Sequence, residues 1–570
     1  MNLLLFTALC RAESGQLVVQ VEDTQERAVS GIEIGVEGIG GSGVTGNDGK
    51  ARLALGNATK EGDWIFLAVL RSPAHLDYVV LSPWKGRTMV PSFANRAENF
   101  VLVVVIQRGD RAALENPTVL VRLLESINKE AAQKTEDHWQ THPDPKVALE
   151  EVAKQYGYSP EELDKQIRAW GAKTTDPYDA GLAALYERKY PQATSNLQES
   201  LSLREEKLAS DKQAAAADQK SVADAAFFLG TALFRQGRYA ESAAAFRKRL
   251  QITPNDATVL NDLGVSLKEG GQYAEAEVAL NRALAMNESS QGPDQLYVTA
   301  NLHNLASVLM ANGKYDAAEG MLRRALDTDK TAIVPNDQGV ASDLTGLAHL
   351  RFEEREYPDA ETLAKQAVTI EEKIPGPENL QLATSLQILG SALEAQGNYC
   401  DAERLYRRSL DIEEKASGPS NPQVATILNS LALLLKRRGR YSEAEHLYRR
   451  ALDIDDEALG PAHPAVAIRL NNLAELYAAE GDYQRAEPLL RRALTIDEDT
   501  LGPDHPDVAI RLGNLGAILG IQGEFDEAEP MLRRAVSIDD RVFGKQSIVT
   551  IKDQQSLDKL LADKKKREKR

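Results

Sequence analysis

Two hydrophobic periods divide the chain. From Gly15 to about Arg108, apolar and polar positions alternate with period two and are punctuated by turn signals, as in half-buried strands. Gln16–Val21 is one such segment. In Gly31–Val36 the side chains of Ile32, Ile34 and Val36 fall on one face. Asn47-Asp48-Gly49 marks a turn, because these residue types tolerate positive φ. Ala51–Leu55, Trp64–Leu70 and Phe100–Ile106 add further runs, and about seven short strands predict a small β-sandwich over residues 15–108. After that the period becomes helical. In residues 109–177, a connector, Val119, Leu120, Leu123, Leu124 and Ile127 form a stripe, and Thr141–Pro145 breaks it. Ser159-Pro160-Glu161-Glu162 has the cap, N1 proline and acidic first turn of a helix start.

A repeat governs the remainder. An aromatic followed three positions later by a small residue recurs at Tyr190/Ala193, Tyr239/Ser242, Tyr273/Ala276, Tyr315/Ala318, Tyr357/Ala360, Tyr399/Ala402, Tyr441/Ala444, Tyr483/Ala486 and Phe525/Ala528. The spacings are 49, 34 and then 42 six times, a period that means a stacked array. Within one unit, Leu470, Leu473, Ala474 and Tyr477 lie at i, i+3, i+4 and i+7 of a first helix. Gly481 ends it, and Ala486, Leu489, Leu490, Ala493 and Leu494 face inward from a second. Leu501-Gly502-Pro503-Asp504-His505-Pro506 separates that unit from the next. Each helix pair leaves an apolar face that only a neighbouring pair covers, so stability is a sum of unit and nearest-neighbour terms. The units of Tyr190 and Tyr239 are less regular, with Ser242 and Arg249 where alanines are expected and a polar stretch over Lys207–Lys220.

These residues resemble the tetratricopeptide repeat, and the 42-residue unit with Gly-Pro-x-His-Pro linkers is similar to the kinesin-light-chain type. The resemblance covers roughly residues 178–545 and implies a mainly α, right-handed helical solenoid. The chain departs from kinesin light chains in having no N-terminal heptad coiled coil, which makes a motor-cargo role unexpected. It also implies that the fifth position of each first helix faces a concave groove: Asn261, His303, Thr345, Gln387, Asn429, Asn471 and Gly513. The twelfth and thirteenth positions add Lys268, Lys436 and Arg437. Asn and Gln both donate and accept, so this row suits the backbone of an extended peptide. Asn304, Asn472 and Asn514, one place further on, are expected to make contacts between helices. Val29–Ile34 with Thr45–Leu53 resembles carboxypeptidase regulatory-like β-sandwich domains, which are attached to exported bacterial proteins and lack catalysis of their own.

Other features narrow the chemistry. Gly38–Gly43 satisfies G-x-G-x-x-G, but a strand follows instead of the helix a pyrophosphate site needs, so a hairpin loop is expected. The pairs Arg323-Arg324, Arg407-Arg408, Arg449-Arg450, Arg491-Arg492 and Arg533-Arg534 are expected to bond acids one turn later, such as Asp453 and Asp455-Asp456. His463 and His505 recur with the repeat and are expected as linker residues, not metal ligands. There is no P-loop and no nucleophile–base–orienter set.

The chain has 570 residues and a net charge of −18, with residues 1–116 contributing 11 − 13 = −2. That balance and 6% aromatics argue against nucleic acid as a partner. Two cysteines, Cys10 and Cys400, cannot build a zinc site or a disulfide framework. No metal, cofactor or small-molecule substrate is expected, nor is a transmembrane segment. Residues 1–14 hold the apolar run Leu3–Leu9 ahead of Cys10-Arg11-Ala12. A signal with a misplaced start, a poor signal and a first strand all stay open, and export is the expectation. Residues 546–570 read as a C-terminal helix with a basic tail, since Lys564–Arg570 carries six basic side chains and one acid and is expected to be frayed. The functional expectation is a non-enzymatic scaffold binding a peptide or protein segment in the groove, through Asn261, His303, Gln387, Asn429, Lys436, Arg437 and Asn471. The alternative is a structural protein that self-associates at the cell envelope.

Overall fold

The computed structural model describes the strands between Gln16 and Gln107, together with residues 32 and 45, and the chain from Arg111 to Glu568 apart from residues 134–144, 211–215, 290–294, 332–335 and 375–379. The signal reading of residues 1–14 lies outside the described residues. The chain divides into two compact units: residues 1–134, 143–200 and 286–296 form one, and residues 135–142, 201–285 and 297–570 the other.

In the first unit the period-two segments form strands. They are β1 (Gln16–Glu22), β2 (Glu33–Val36), β3 (Ser42–Val44), β4 (Lys50–Ala54), β5 (Trp64–Arg71), β6 (Tyr78–Ser82), β7 (Arg87–Met89) and β8 (Val101–Gln107). Two four-stranded sheets result, ordered β4-β1-β8-β6 and β3-β2-β5-β7. Strands β1 and β8 run parallel, and the other pairings are antiparallel. Ile32 and Ile34 are buried, as the alternation requires, and Thr45 closes the β2–β3 pairing by accepting from the Ile32 amide at 3.0 Å. The G-x-G-x-x-G stretch therefore ends in a strand: Ser42 and Gly43 pair with Gly35 and Ile34.

Helices Pro117–Gln133, Pro145–Tyr156, Pro160–Gly171 and Pro177–Tyr186 follow. Ser159 caps the third of these, its hydroxyl accepting from the Glu162 amide. Asn128 donates to the Leu182 carbonyl at 3.1 Å, and the Tyr178 hydroxyl donates to Glu125 at 2.8 Å, so the connector is tied by buried polar bonds.

The second unit is a stack of helical hairpins, each an A helix and a B helix. They are Ala216–Arg235 with Tyr239–Ile252, Ala257–Glu269 with Tyr273–Ser289, Gln295–Ala311 with Tyr315–Lys330, and Asp337–Glu353 with Tyr357–Glu371. Leu380–Ala395 with Tyr399–Ser417, Pro422–Arg437 with Tyr441–Ala458, Pro464–Glu480 with Tyr483–Leu501, and Pro506–Gln522 with Phe525–Phe543 follow. A last helix spans Ile548–Glu568. Every B helix begins at the aromatic of the repeat, and the alanine three residues on is fully buried at positions 318, 360, 402, 444, 486 and 528. Gly481 has φ 81°, the left-handed turn at which only glycine is unstrained. The Tyr239 hairpin is as regular as its neighbours. Ser242 replaces alanine by donating to the Gly230 carbonyl at 2.8 Å, and Arg249 is held by Asp224 at 3.0 Å and Asp256 at 3.1 Å.

The basic C-terminus is not simply frayed. Lys564 pairs with Asp526 at 2.8 Å and Glu529 at 3.1 Å, and Arg567 donates to the Gly523 carbonyl at 2.9 Å. No helix among the described residues is long and apolar enough to cross a membrane.

Candidate functional site

The A helices carry the predicted row, and the structure gives its members two different roles. Along the stack, an asparagine of one unit donates to the asparagine of the unit before. Asn304 Nδ2 reaches Asn261 Oδ1 at 2.9 Å, Asn472 reaches Asn429 at 2.7 Å, and Asn514 reaches Asn471 at 2.8 Å. Asn304, Asn472 and Asn514 are thus contacts between helices, as the sequence suggests. Asn261 and Asn471, however, are 2% and 3% exposed, so their amides serve the stack instead of an open surface. Asn301 also donates to Asn261, at 2.8 Å, and Asn471 donates to Glu475 at 2.9 Å. Thr345 is fully buried, bonded to the Ala341 carbonyl at 2.9 Å and to Ser385 at 2.7 Å. His303 is buried against Asp343, and burial pushes its imidazole down to about 3. The expectation that these four side chains line an open groove is corrected by this packing: a buried amide or imidazole must find its partner inside.

The remainder of the row is accessible. Gln387 and Asn429 are half-buried, and Asn429 gives only its oxygen to the inter-unit bond. Lys436 reaches Glu475 of the next unit at 3.1 Å, and Arg437, exposed, reaches Glu394 at 3.3 Å. Ile468 stands three residues before Asn471 and seven before Glu475, hence on the same face of its helix. Ile468 is 38% exposed, Ile510 one unit on is 46% exposed, and Ile521 is 62% exposed. Large apolar groups left open on consecutive helices are the informative observation, and sequence reasoning missed them because it sought polar groups at the fifth, twelfth and thirteenth positions.

A second periodic feature also escaped it. Toward the end of the B helices from Tyr315–Lys330 onward stands a buried acid at the repeat period: Asp329, Glu371, Glu413, Asp455, Asp497 and Asp539. For three of them a partner stands fourteen residues later, on the next A helix. Arg469 Nε donates to Asp455 at 2.8 Å, Arg511 Nε to Asp497 at 2.9 Å, and the Ser385 hydroxyl to Glu371 at 3.0 Å. Asp343 and Asp553 occupy that place beside Asp329 and Asp539, so two carboxyl pairs replace the ion pair. Burial, reinforced by the neighbouring acid, pushes Asp329 up to about 6 and Asp539 up to about 7, and burial pushes Asp343 up to about 8. These groups fix how each unit sits on the last. The shifts follow from burial and from the neighbouring acid.

The arginine pairs correct a further expectation, since their acids precede them. The first Arg bonds the Glu four residues earlier, at 2.8 Å for Arg407–Glu403, 3.0 Å for Arg449–Glu445 and 2.9 Å for Arg491–Glu487. The second reaches the previous B helix: Arg408–Glu372 at 2.7 Å, Arg450–Glu414 at 2.5 Å and Arg492–Asp456 at 3.1 Å, with Arg534–Glu498 continuing the series. The B-helix surface is therefore a self-neutralised ladder worth little per pair.

His463 and His505 cap the A helices that follow them, each Nδ1 accepting from a backbone amide at 3.1 Å, that of Ala465 or Asp507. No cluster of metal-ligating side chains occurs among the described residues.

Comparison with known proteins places this arrangement. The tetratricopeptide repeat profile matches residues 255–331, 340–415, 387–457, 423–499 and 465–541, and a second profile of the same description matches residues 178–257. Among solved structures, BtubC (BKLC) from P. vanneervenii is 26% identical over 41% of this chain and 92% of its own, with a TM-score of 0.33. The TPR-like repeats of a Podosopora anserina chain named for kinesin light chain are 24% identical over 38% of this chain and 100% of theirs, with a TM-score of 0.32. A Rap protein complexed with competence and sporulation factor is 14% identical over 65% of this chain and 99% of its own, with a TM-score of 0.42. No curated protein matches the chain.

Proposed function

The chain belongs to the tetratricopeptide repeat family, and from that premise we propose that it is a protein-interaction scaffold whose A-helix face holds an extended peptide segment. The ligand-facing set is Gln387, Asn429, Lys436 and Arg437 with Ile468 and Ile510. Asn261, His303 and Asn471 lie behind it and hold the helices in register. The observation that carries this reading is the pair Ile468 and Ile510, 38% and 46% exposed on the same face of consecutive helices beside the half-buried Asn429. Isoleucines in water give up about 25 cal/mol for every Å² they leave exposed, and an apolar side chain at every other ligand position would cover them. The amide of Asn429 and the amide of Gln387 stand where a peptide backbone needs partners. The B-helix surface supports the same choice, because its arginines are already paired within the chain.

The strands of the first unit we read as a small β-sandwich of the carboxypeptidase regulatory-like kind, a module that attaches the scaffold without catalysing anything.

The test is a peptide selected from a displayed random library on the immobilised full chain and then titrated by calorimetry. Ile468→Asp and Asn429→Ala should each weaken it at least about tenfold, about 1.4 kcal/mol. Arg533→Ala, on the B-helix side, should leave it unchanged. A selected peptide indifferent to Ile468→Asp and Asn429→Ala removes this face as the site.

A further inference from the structure

The second unit touches itself far along the sequence. His505 Nε2 lies 3.2 Å from the carbonyl of Glu269, 236 residues earlier, which is about five and a half units of the repeat. A Cβ placed on Gly271 would lie 3.1 Å from the His505 ring, and one on Gly237 would lie 2.2 Å from Pro464 Cδ. The rings of Tyr273 and Phe543 are 6.5 Å apart along the same seam. Gly313, Gly397, Gly439 and Gly481 end other A helices with the same left-handed φ, but nothing lies within 4 Å of a Cβ there. The contact is therefore particular to the two linkers that carry His-Pro. It joins one superhelical turn of the solenoid to the next.

The two bonds of His505 fix its protonation. Nδ1 accepts the Asp507 amide at 3.1 Å, so it carries no hydrogen, and Nε2–H donates to Glu269. Both bonds exist together only for the neutral ring. A proton on Nδ1 would face the amide hydrogen it now accepts, and the Asp507 carboxylate, 3.9 Å away, would draw the ring toward itself. The chain contains its own control. Asn421 occupies the same linker position, before Pro422, and its oxygen accepts from the Gln423 amide at 2.8 Å. Capping alone is satisfied by asparagine, and histidine adds only the reach to the other turn.

We propose that His505 is a proton-released latch that closes one superhelical turn of the solenoid onto the next, with Pro464 against Gly237 as its uncharged companion. The charged and titratable groups around the ring are Asp507 and Arg511 on its own helix, Glu269 with its partner Lys268 on the helix it contacts, and Tyr239, Tyr273, Asp497 and Arg235 nearby. Burial is the largest influence and holds the imidazole below its usual range, against the pull of Asp507 and Glu269. An imidazole lowered in the closed form favours closure above its free pKa near 6.5, and the latch loosens as pH falls below that value.

Hydrogen exchange of the full chain at pH 7.5 and 5.5, corrected for intrinsic rates, tests this. Protection of residues 504–509 and 268–273 should fall severalfold at the lower pH, toward the limit of about tenfold that one proton allows between these pH values, with circular dichroism unchanged, while residues 421–425 keep theirs. His505→Asn should restore the cap and lose protection at 268–273 at both pH values. Equal acid sensitivity at 421–425, or undiminished protection of 268–273 in His505→Asn, overturns the latch.

Discussion

Replacing Arg511 with methionine separates the packing of the buried ion pair from its charge. Arg511 and Asp497 are both buried, 2.9 Å apart, and Asp497 has burial pushing it up to about 7 while Arg511 pulls it down. Methionine keeps most of the apolar volume and removes the pull. The lost charge-assisted hydrogen bond costs roughly 1.5–3 kcal/mol at any pH. A second cost depends on pH. Without its partner the carboxyl stays protonated in the fold, while the unfolded chain releases the proton above its ordinary pKa of 3.8. Folded-state pKa values raised above the unfolded value lose stability as pH rises, so the variant falls behind the wild type by about 1.4 kcal/mol for each unit above 7. The expectation is a deficit of about 2 kcal/mol at pH 6 and about 3–4 kcal/mol at pH 8, the latter inside the range for breaking a buried pair. Urea unfolding followed by circular dichroism at the two pH values measures it. A deficit below about 1 kcal/mol at pH 8, or one identical at both pH values, would refute the reasoning.

Three further substitutions probe the same architecture. In Asp343→Asn the carboxyl that burial pushes up to about 8 is gone; since its contribution is full below 3.8 and lost as pH rises, the variant should gain on the wild type by about 1.4 kcal/mol per unit between pH 5 and 7, read from thermal melts. Equal slopes for both proteins would exclude the upward shift of Asp343. Gly439→Ala, open around its Cβ with φ 72°, should cost about 1–2 kcal/mol of backbone strain, and Gly237→Ala about 1–3 kcal/mol more, because its Cβ meets Pro464; matching denaturant midpoints would mean the seam contributes nothing.

Much of the fold was legible because it rests on short-range rules. The 42-residue period, the alanine that lets two helices approach, the glycine with positive φ and the proline that opens the last three A helices all act within one unit, and each is found where the residues place it. The strands of the first unit follow from alternation in the same way. What the pattern could not supply is the rotation and offset between units. A helical wheel puts Asn471 and Ile468 on one face, but only the stacking decides that Asn471 is bonded to Asn514 while Ile468 is left open. The arginine pairs show the same limit: Glu445 was within reach of a helical argument for Arg449, whereas Glu414 belongs to the previous unit and meets Arg450 only through stacking. His505 is the extreme case, since its partner carbonyl lies 236 residues away.

The claim on which the function depends is that the A-helix face is the binding surface. A hydrogen-exchange footprint of the full chain, with and without a library-selected peptide at saturation, addresses it directly. The predicted result is added protection in Leu380–Ala395, Pro422–Arg437, Pro464–Glu480 and Pro506–Gln522, with the B helices between them unchanged. Protection confined to the B helices, or to the strands between Gln16 and Gln107, would contradict it.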